Sequence, residues 1–580
     1  MEGALFLVMH CSLSFILLSA ALFSGTLVNS LPYDYSAIIE CLAEPPKPQY
    51  KGGIIINPEF NNGLKGWARF GHSNPAEKTS ETGNKFSVAR SKQNPFHSLS
   101  QKLFLHSEKL YTFSAWVQVS EGDEIPVKAM YKTSSNISHA VGTVIAKSGC
   151  WSMLKGGISV NNSGPAELYF ESQNASIEIW IDSVSLQPFT KDQWRSHQSE
   201  SINKVRKRKV RINSTPGTKI SIKQSRPGFP FGNAISKDIL SNTVYQNWFT
   251  SRFKVTTFEN EMKWYSTESS QGTENYADAD AMLAFCKQNG INVRGHNIFW
   301  DAPHYQPNWV NSLPTPQLQS ATEKRINSVM NRYKGQVIAW DVVNENMHYS
   351  FFESKFGKDA SSVLYQKAHQ IDNAVLTFMN EFNTLENPGD EVSIPTKYLQ
   401  KLTEIQSFGG STSTGGPRMA IGLEGHFSQP NIAYMRSALD SLAAANVPIW
   451  LTEVDVSSSP QQAEYLEEIL REAFAHPAVN GIVMWASWHA QGCYSMCLTD
   501  NNFKNLPTGD VVDKLLNEWK TFTQIEAFAN THGFFELDLF HGDYEITTTH
   551  PSSNSSSLHI LNVHGANHHE GVLHVLDVQA

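Results

Sequence analysis

From Phe229 to about Thr521, short apolar runs alternate with helical patterns, and this rhythm constrains the fold more than any other feature of the chain. The runs are FPFGNAI (229–235), KVTTF (254–258), NVRGHNI (292–298), VIAWDVV (337–343), VLTFMN (375–380), MAIGLEG (419–425), PIWLTEVDV (448–456) and GIVMWAS (481–487). Brief apolar segments of this kind suit strands buried on both faces, and amphipathic stretches such as IAYMRSALDSLAAA (432–445) suit the helices that cover them. Strand–helix repetition implies a parallel sheet. Eight such units over 229–521 predict a closed (β/α)8 barrel, a fold that typically takes about 250 residues.

The rest of the chain has a different texture. Residues 53–190 read as short alternating strands, among them YTFSAWVQV (111–119) and IEIWIDSVSL (177–186), separated by Gly, Asn and Ser turns. That pattern predicts an all-β sandwich or jelly roll. The basic stretch KVRKRKVR (204–211) has apolar residues between its charges and is expected to be a solvated strand, not a nucleic-acid patch. The first residues form an apolar run broken only by small polar groups, read as a signal peptide cleaved between Ser24 and Ser30, although Glu2 stands where a basic residue is usual. The expected layout is a signal peptide over 1–30, an N-terminal segment over 31–52, the sandwich over 53–190 and a linker with a basic strand over 191–228. The barrel follows over 229–521 and a C-terminal β extension or tail over 522–580.

Export agrees with N-x-S/T glycosylation acceptors at Asn136, Asn161, Asn174, Asn213 and Asn554. Once Cys11 leaves with the signal, Cys41, Cys150, Cys286, Cys493 and Cys497 remain, an odd set in which at least one thiol is free. Cys493 and Cys497, four apart, make a plausible disulfide. The net charge of −9 disfavours nucleic acid and anionic membrane surfaces as partners. A monomer without bound metal or cofactor is expected: no paired C-x-x-C exists, and His564, His568 and His569 lack the spacing of a metal site.

In a barrel, the strand C-termini and the loops after them build the active site. Polar groups gather there in this sequence. Strand two ends in Glu259-Asn260-Glu261-Met262-Lys263-Trp264, and strand three in His296, with Trp300 beyond. Strand four ends in Asn344-Glu345, five in Asn380-Glu381, six in Glu424 and His426, seven in Glu453 and Asp455, and eight in Trp485 and Trp488. One carboxylate so placed is a helix cap or a loop residue. Repetition on most strands points to a cleft with carboxyls on both sides, the minimal apparatus of glycoside hydrolysis.

The motifs ENEMKW (259–264), RGHNIFW (294–300), WDVVNE (340–345), FMNEFN (378–383), GLEGHF (422–427) and LTEVDV (451–456) resemble, in order and spacing, glycoside hydrolase family 10, the β-1,4-xylanases, and especially its plant members. The resemblance implies a retaining endo-xylanase with Glu345 as acid/base and Glu453 as nucleophile. It also implies that His426 and Asp455 orient the nucleophile, and that Glu259, Asn260, Lys263, His296, Trp300, Asn344, Glu424 and Trp485 contact the sugar. Asp301 and Glu424 depart from the commoner His and Gln, and the strand-eight loop WASWHAQGCYSMCLTD departs from the usual W-G-x-x-D-x-x-S-W.

Residues 53–190 resemble, less specifically, a family 22 carbohydrate-binding module through NPEFNNGLKGWARFG, LYFES and IWIDSVSL. Arg90, Phe96, Tyr131, Tyr169 and Glu171 fall where that family contacts sugar. Xylan and related β-1,4-glycans are then the expected partners, in the cell wall or extracellular space, with no membrane contact after signal cleavage. A hydrolase or transglycosylase acting on another β-1,4-glycan, or a catalytically silent wall-binding protein, are the alternatives. The chain contains no G-x-S-x-G elbow, P-loop or H-E-x-x-H.

Overall fold

The apolar runs become eight strands, β1 (Phe231–Asn233), β2 (Val255–Thr257), β3 (Asn292–Gly295), β4 (Ala339–Asp341), β5 (Leu376–Glu381), β6 (Met419–Leu423), β7 (Ile449–Val456) and β8 (Val479–Met484). Each pairs in parallel with the next, and β8 pairs with β1, so the sheet closes and leaves no open edge. Val255, Ala339, Phe378, Ala420, Trp450 and Val483 form a packed cluster drawn from β2 and β4 to β8. Two tryptophans fit between neighbouring strands only because glycines face them. A Cβ at Gly295 would stand 2.3 Å from the Trp340 ring, and one at Gly481 would stand 2.4 Å from the Trp450 ring. The barrel is the predicted one.

This computed structural model describes residues 31–90, 92–410, 416–520, 524–553, 555–565 and 573–578. The chain divides into two units, Met1–Tyr33 and Asp34–Ala580. In the first, the described residues 31–33 carry no helix or strand. The signal-like run, Cys11, Asn554, His568 and His569 lie outside the described residues.

Residues 68–190 form two five-stranded sheets packed face to face, the expected sandwich. Between them lie Phe113, Val117, Leu168, Phe170, Ile179 and Leu186, all fully buried. The segment before the sandwich is tied to it by the Cys41–Cys150 disulfide and by a backbone bridge between Leu42 and Trp151. Cys493 and Cys497 form the second disulfide, and buried Cys286 is the odd thiol.

Residues 191–228 are not a linker. Lys191–Val205 is a helix whose first turn is closed by a capping box between Thr190 and Gln193. The basic run continues as strand Lys207–Asn213, which pairs with Phe534–Phe540 on one side and Leu573–Asp577 on the other. Strand Lys219–Pro227 pairs with Ile525–Phe528 and Gly542–Thr549. The two sheets enclose Val210, Ile212, Ile220, Ile222, Leu539, Tyr544 and Ile546. The supposed linker and the expected C-terminal β extension are therefore two parts of a third β-structured region.

The sandwich is bolted to the barrel along helix Ile432–Ala443. Lys155 Nζ lies 2.7 Å from Asp440 Oδ2, both side chains almost fully buried. Ser437 Oγ donates to Gly156 O at 2.6 Å, and Asn431 Nδ2 to Gly157 O at 3.0 Å. A Cβ at Gly157 would stand 2.2 Å from the Ala433 carbonyl carbon, so backbone meets backbone at this point. Gly157→Val is expected to destabilise the protein by about 3 kcal/mol, since rigid backbone cannot yield as side chains do. Thermal melting of the full-length variant checks this.

Candidate active site

The strands' C-terminal ends deliver their side chains into one cleft. Beyond β4 the backbone turns sharply, with Glu345 in the left-handed region at φ 58°. Such a conformation costs a non-glycine residue about 1 kcal/mol or more, and it persists only where the surroundings enforce it. Here the Glu345 N–H donates to Asn380 O at 2.9 Å. The turn directs the carboxyl inward, where Trp300 Nε1 donates to Oε2 at 2.7 Å and Asn344 Nδ2 to Oε1 at 3.3 Å.

Glu453 stands on β7, linked to Glu345 through two asparagines. Asn380 Nδ2 lies 2.9 Å from Glu453 Oε1, 2.9 Å from Asn344 Oδ1 and 3.2 Å from Glu424 Oε1. Thr452 Oγ1 fixes the amide by donating to Asn380 Oδ1. His426 faces the other carboxylate oxygen: its Nε2 is 3.8 Å from Glu453 Oε2 and 3.3 Å from Glu424 Oε2, while Nδ1 is 3.0 Å from Asp455 Oδ1. Lys263 Nζ sits 4.4 Å from the Trp300 ring centroid and 5.6 Å from that of Trp485. His296 Nδ1 is 2.8 Å from Asp341 Oδ2 and 3.9 Å from Glu453 Oε1, and its ring meets the Trp485 ring edge-on. Glu259 is buried, its Oε2 2.8 Å from His489 Nε2, and Asn260 accepts from the Tyr265 hydroxyl at 2.6 Å.

The two linked carboxyls are driven apart. Burial pushes the Glu345 carboxyl up to about 8; the Trp300 hydrogen bond opposes this, and the charges of Glu381 and Glu453 add to it. Burial also acts to raise Glu453, but His296, His426 and Lys263 outweigh it and hold its carboxyl down at about 2. Glu424 is raised by burial and by the two neighbouring glutamates, which favours its protonated form. One carboxyl is thus kept as an acid and its partner as an anion, a division of roles characteristic of acid/base sites. Glu424, His426 and Glu453 also present ligand atoms within 4.8 Å of one another and could hold a cation, which would block the Glu453 oxygens instead of assisting them.

Residues 221–512 match glycosyl hydrolase family 10. The chain belongs to that family. Residues 52–176 match a carbohydrate binding domain. Endo-1,4-beta-xylanase 5 of Arabidopsis thaliana is 42% identical over 519 residues, covering 87% of this chain and 90% of that protein. Endo-1,4-beta-xylanase 5-like of the same plant is 40% identical over 542 residues, covering 91% of each. Endo-1,4-beta-xylanase 4, also from Arabidopsis thaliana, is 39% identical over 556 residues, covering 92% of each.

In this family 10 hydrolase several site residues escaped the motif reading. Asp341, four residues before Glu345, binds Arg294 Nη2 at 2.6 Å as well as His296, with the guanidinium over the Phe378 ring. His489 in the strand-eight loop and Asn380 as the hub were equally unassigned. A buried Asp inside an apolar strand was the available signal for the first, because such a charge needs a partner. Asp301 proves to serve a helix: its Oδ1 accepts from Phe352 N at 2.9 Å, in the first turn of Phe351–Phe356.

In the module, Tyr169 and Glu171 share the outer face of one sheet with Lys128 and Met130, their register partners. Tyr169 stacks on Phe70 with centroids 4.0 Å apart, and Phe96 is exposed near one end of that sheet. Tyr131 is not on that face. It pairs with Leu168 and packs with Val127 and Ala129 in the inter-sheet core. Arg90 ends a strand of the opposite sheet.

Proposed function

We propose that this chain cleaves internal β-1,4-xylosidic bonds of xylan with retention of configuration, Glu345 acting as acid/base and Glu453 as nucleophile. The observation that carries this is the opposed perturbation of two carboxyls joined through Asn344 and Asn380 in one cleft. Glu345 gives its proton to the departing glycosidic oxygen while Glu453 attacks the anomeric carbon and forms a glycosyl ester. Esterification removes the Glu453 charge. Its repulsion of Glu345 disappears, the Glu345 pKa falls, and the same carboxylate then takes a proton from the water that cleaves the ester. Trp485, Trp300 and Lys263 supply the flat faces and the cation that hold the sugar across the cleft, with Asn344 placed to hold the hydroxyl next to the reacting carbon. Purified protein on xylan, cellulose and mannan, with NMR of the fresh anomers, tests this: β-anomers from xylan are expected first, and α-anomers would overturn it.

The pH profile follows from the same carboxyls. Raising the Glu345 pKa from the ordinary carboxylate range to about 8 keeps the acid loaded across the interval between, so kcat/KM falls only as pH rises through about 8. The low Glu453 value leaves the nucleophile ionised well into the acid range. A kcat/KM profile already falling at pH 6 on its alkaline side would contradict this assignment.

The chain is further proposed to be exported to the cell wall as a monomeric glycoprotein. Exposed Asn136 and Asn174 support this reading, whereas the Asn161 amide donates to Gln429 at 3.4 Å, and Asn213 is half-buried in a strand and donates to Asp577. On the module, Tyr169, Glu171 and Phe96 are the proposed sugar contacts.

A further inference from the structure

The loop after β5 is gripped from two sides. On the module side, Lys128 Nζ lies 2.7 Å from Glu391 Oε1, the Gln173 amide donates to the same carboxylate, and Thr143 Oγ1 donates to Pro388 O at 2.8 Å. Lys128, Thr143 and Glu171 are register partners on three adjoining strands, so this grip uses one continuous patch of sheet.

On the barrel side, Asp390 Oδ2 accepts from Asn383 Nδ2 at 2.7 Å and from His348 Nε2 at 3.0 Å. His348 Nδ1 in turn lies 2.7 Å from Glu381 Oε1, and its ring stacks on Phe382 with centroids 3.8 Å apart. Glu381 is fully buried and accepts from Met347 N at 2.9 Å, two residues beyond Glu345. Tyr349 N donates to Glu345 O at 3.0 Å, closing the turn.

We propose that the module is part of the catalytic acid's support: Lys128 and Glu391 anchor the loop, and the loop, through Asp390, His348 and Glu381, fixes the turn that carries Glu345. The inference rests on Glu345 being the acid. Its physical basis is the strain at that residue. A left-handed glutamate relaxes toward ordinary backbone geometry unless its neighbours are held, and this chain of contacts holds Met347 and His348 immediately after it. His348 lies between two carboxylates that together raise it to about 9 despite its burial, so the clamp stays charged at neutral pH. Glu381 in turn contributes to the raised pKa of Glu345, so displacing it alters both the position and the acidity of the acid.

The test separates acid positioning from general loosening. Departure of dinitrophenol from a β-xylobioside needs no protonation, whereas departure of phenol does. In the full chain, Lys128→Met and Glu391→Gln are each expected to lower kcat/KM for phenyl β-xylobioside roughly tenfold while leaving dinitrophenyl β-xylobioside within about twofold. Lys128→Arg restores the phenyl rate, and His348→Ala, which cuts the chain at its centre, shows the same selectivity to a larger degree. Equal losses on both glycosides, or no loss on either, would overturn the proposal. A wrong assignment of Glu345 shows itself separately, as a Glu345→Gln variant that loses both glycosides alike.

Discussion

Glu453→Gln is expected to lose xylan hydrolysis by about 10⁴-fold or more while still binding xylohexaose. The substitution keeps the size of the side chain and its place beside Asn380 and His426, so the cleft remains shaped for sugar. What it removes is the attacking oxygen, and no neighbour can replace it: Glu424, the closest carboxyl on the adjacent strand, is held toward its protonated form by burial. Its electrostatic consequences are also measurable. With the Glu453 charge gone, Glu345 and Glu424 lose a repelling neighbour and both titrate lower, while His426 loses one of the carboxylates that raise it. Calorimetry with xylohexaose, product release from xylan and NMR titration of the carboxyls check the three parts. Turnover near the wild-type rate would show that Glu453 is not the nucleophile.

How far the sequence carried depends on the reach of each contact along the chain. The barrel was legible because a parallel strand buried on both faces announces itself locally as a short apolar run, and the cleft because polar residues have no reason to follow such runs unless they point into a site. The third β-structured region was legible only in part: the basic run read as a strand and the last residues as a β extension or tail, but their pairing did not show. Lys207–Asn213 finds its partners at Phe534–Phe540 and Leu573–Asp577, more than 300 residues away, and nothing near Val210 or Ile212 says what covers them. Residues 191–228 therefore resembled a linker, although their alternating apolar positions were those of a half-buried strand. Tyr131 is a different case. Its spacing from Val127 and Ala129 is even, so the period-two rule already placed it on the core side of its strand, and a positional likeness to sugar-binding residues obscured that. His348 carried no motif at all. Its role arises from Glu381 and Asp390, both brought to it by the strand and loop that follow.

Glu345→Gln is expected to show a different defect from Glu453→Gln, and the contrast between them identifies the acid. Glutamine preserves the turn, which depends on the backbone contacts of Glu345 with Asn380 and Tyr349, and can keep the hydrogen bond from Trp300. It cannot give up a proton. Xylan, whose leaving group is a sugar alkoxide, then loses about 10³-fold or more in kcat/KM, at the strong end of what proton transfer supplies. Dinitrophenyl β-xylobioside still forms the glycosyl ester, because its leaving group departs unaided, but the ester accumulates: the base that activates water is missing. A burst of dinitrophenol followed by a slow steady state is therefore expected. Azide, a nucleophile that needs no base, should raise that steady rate and release a β-xylobiosyl azide. The alkaline limb near pH 8 should also vanish from the variant's residual kcat/KM on xylan, the substrate that needs the proton, since the group that produced it no longer titrates. A variant with no burst and no rescue by azide would place the acid elsewhere in the cleft.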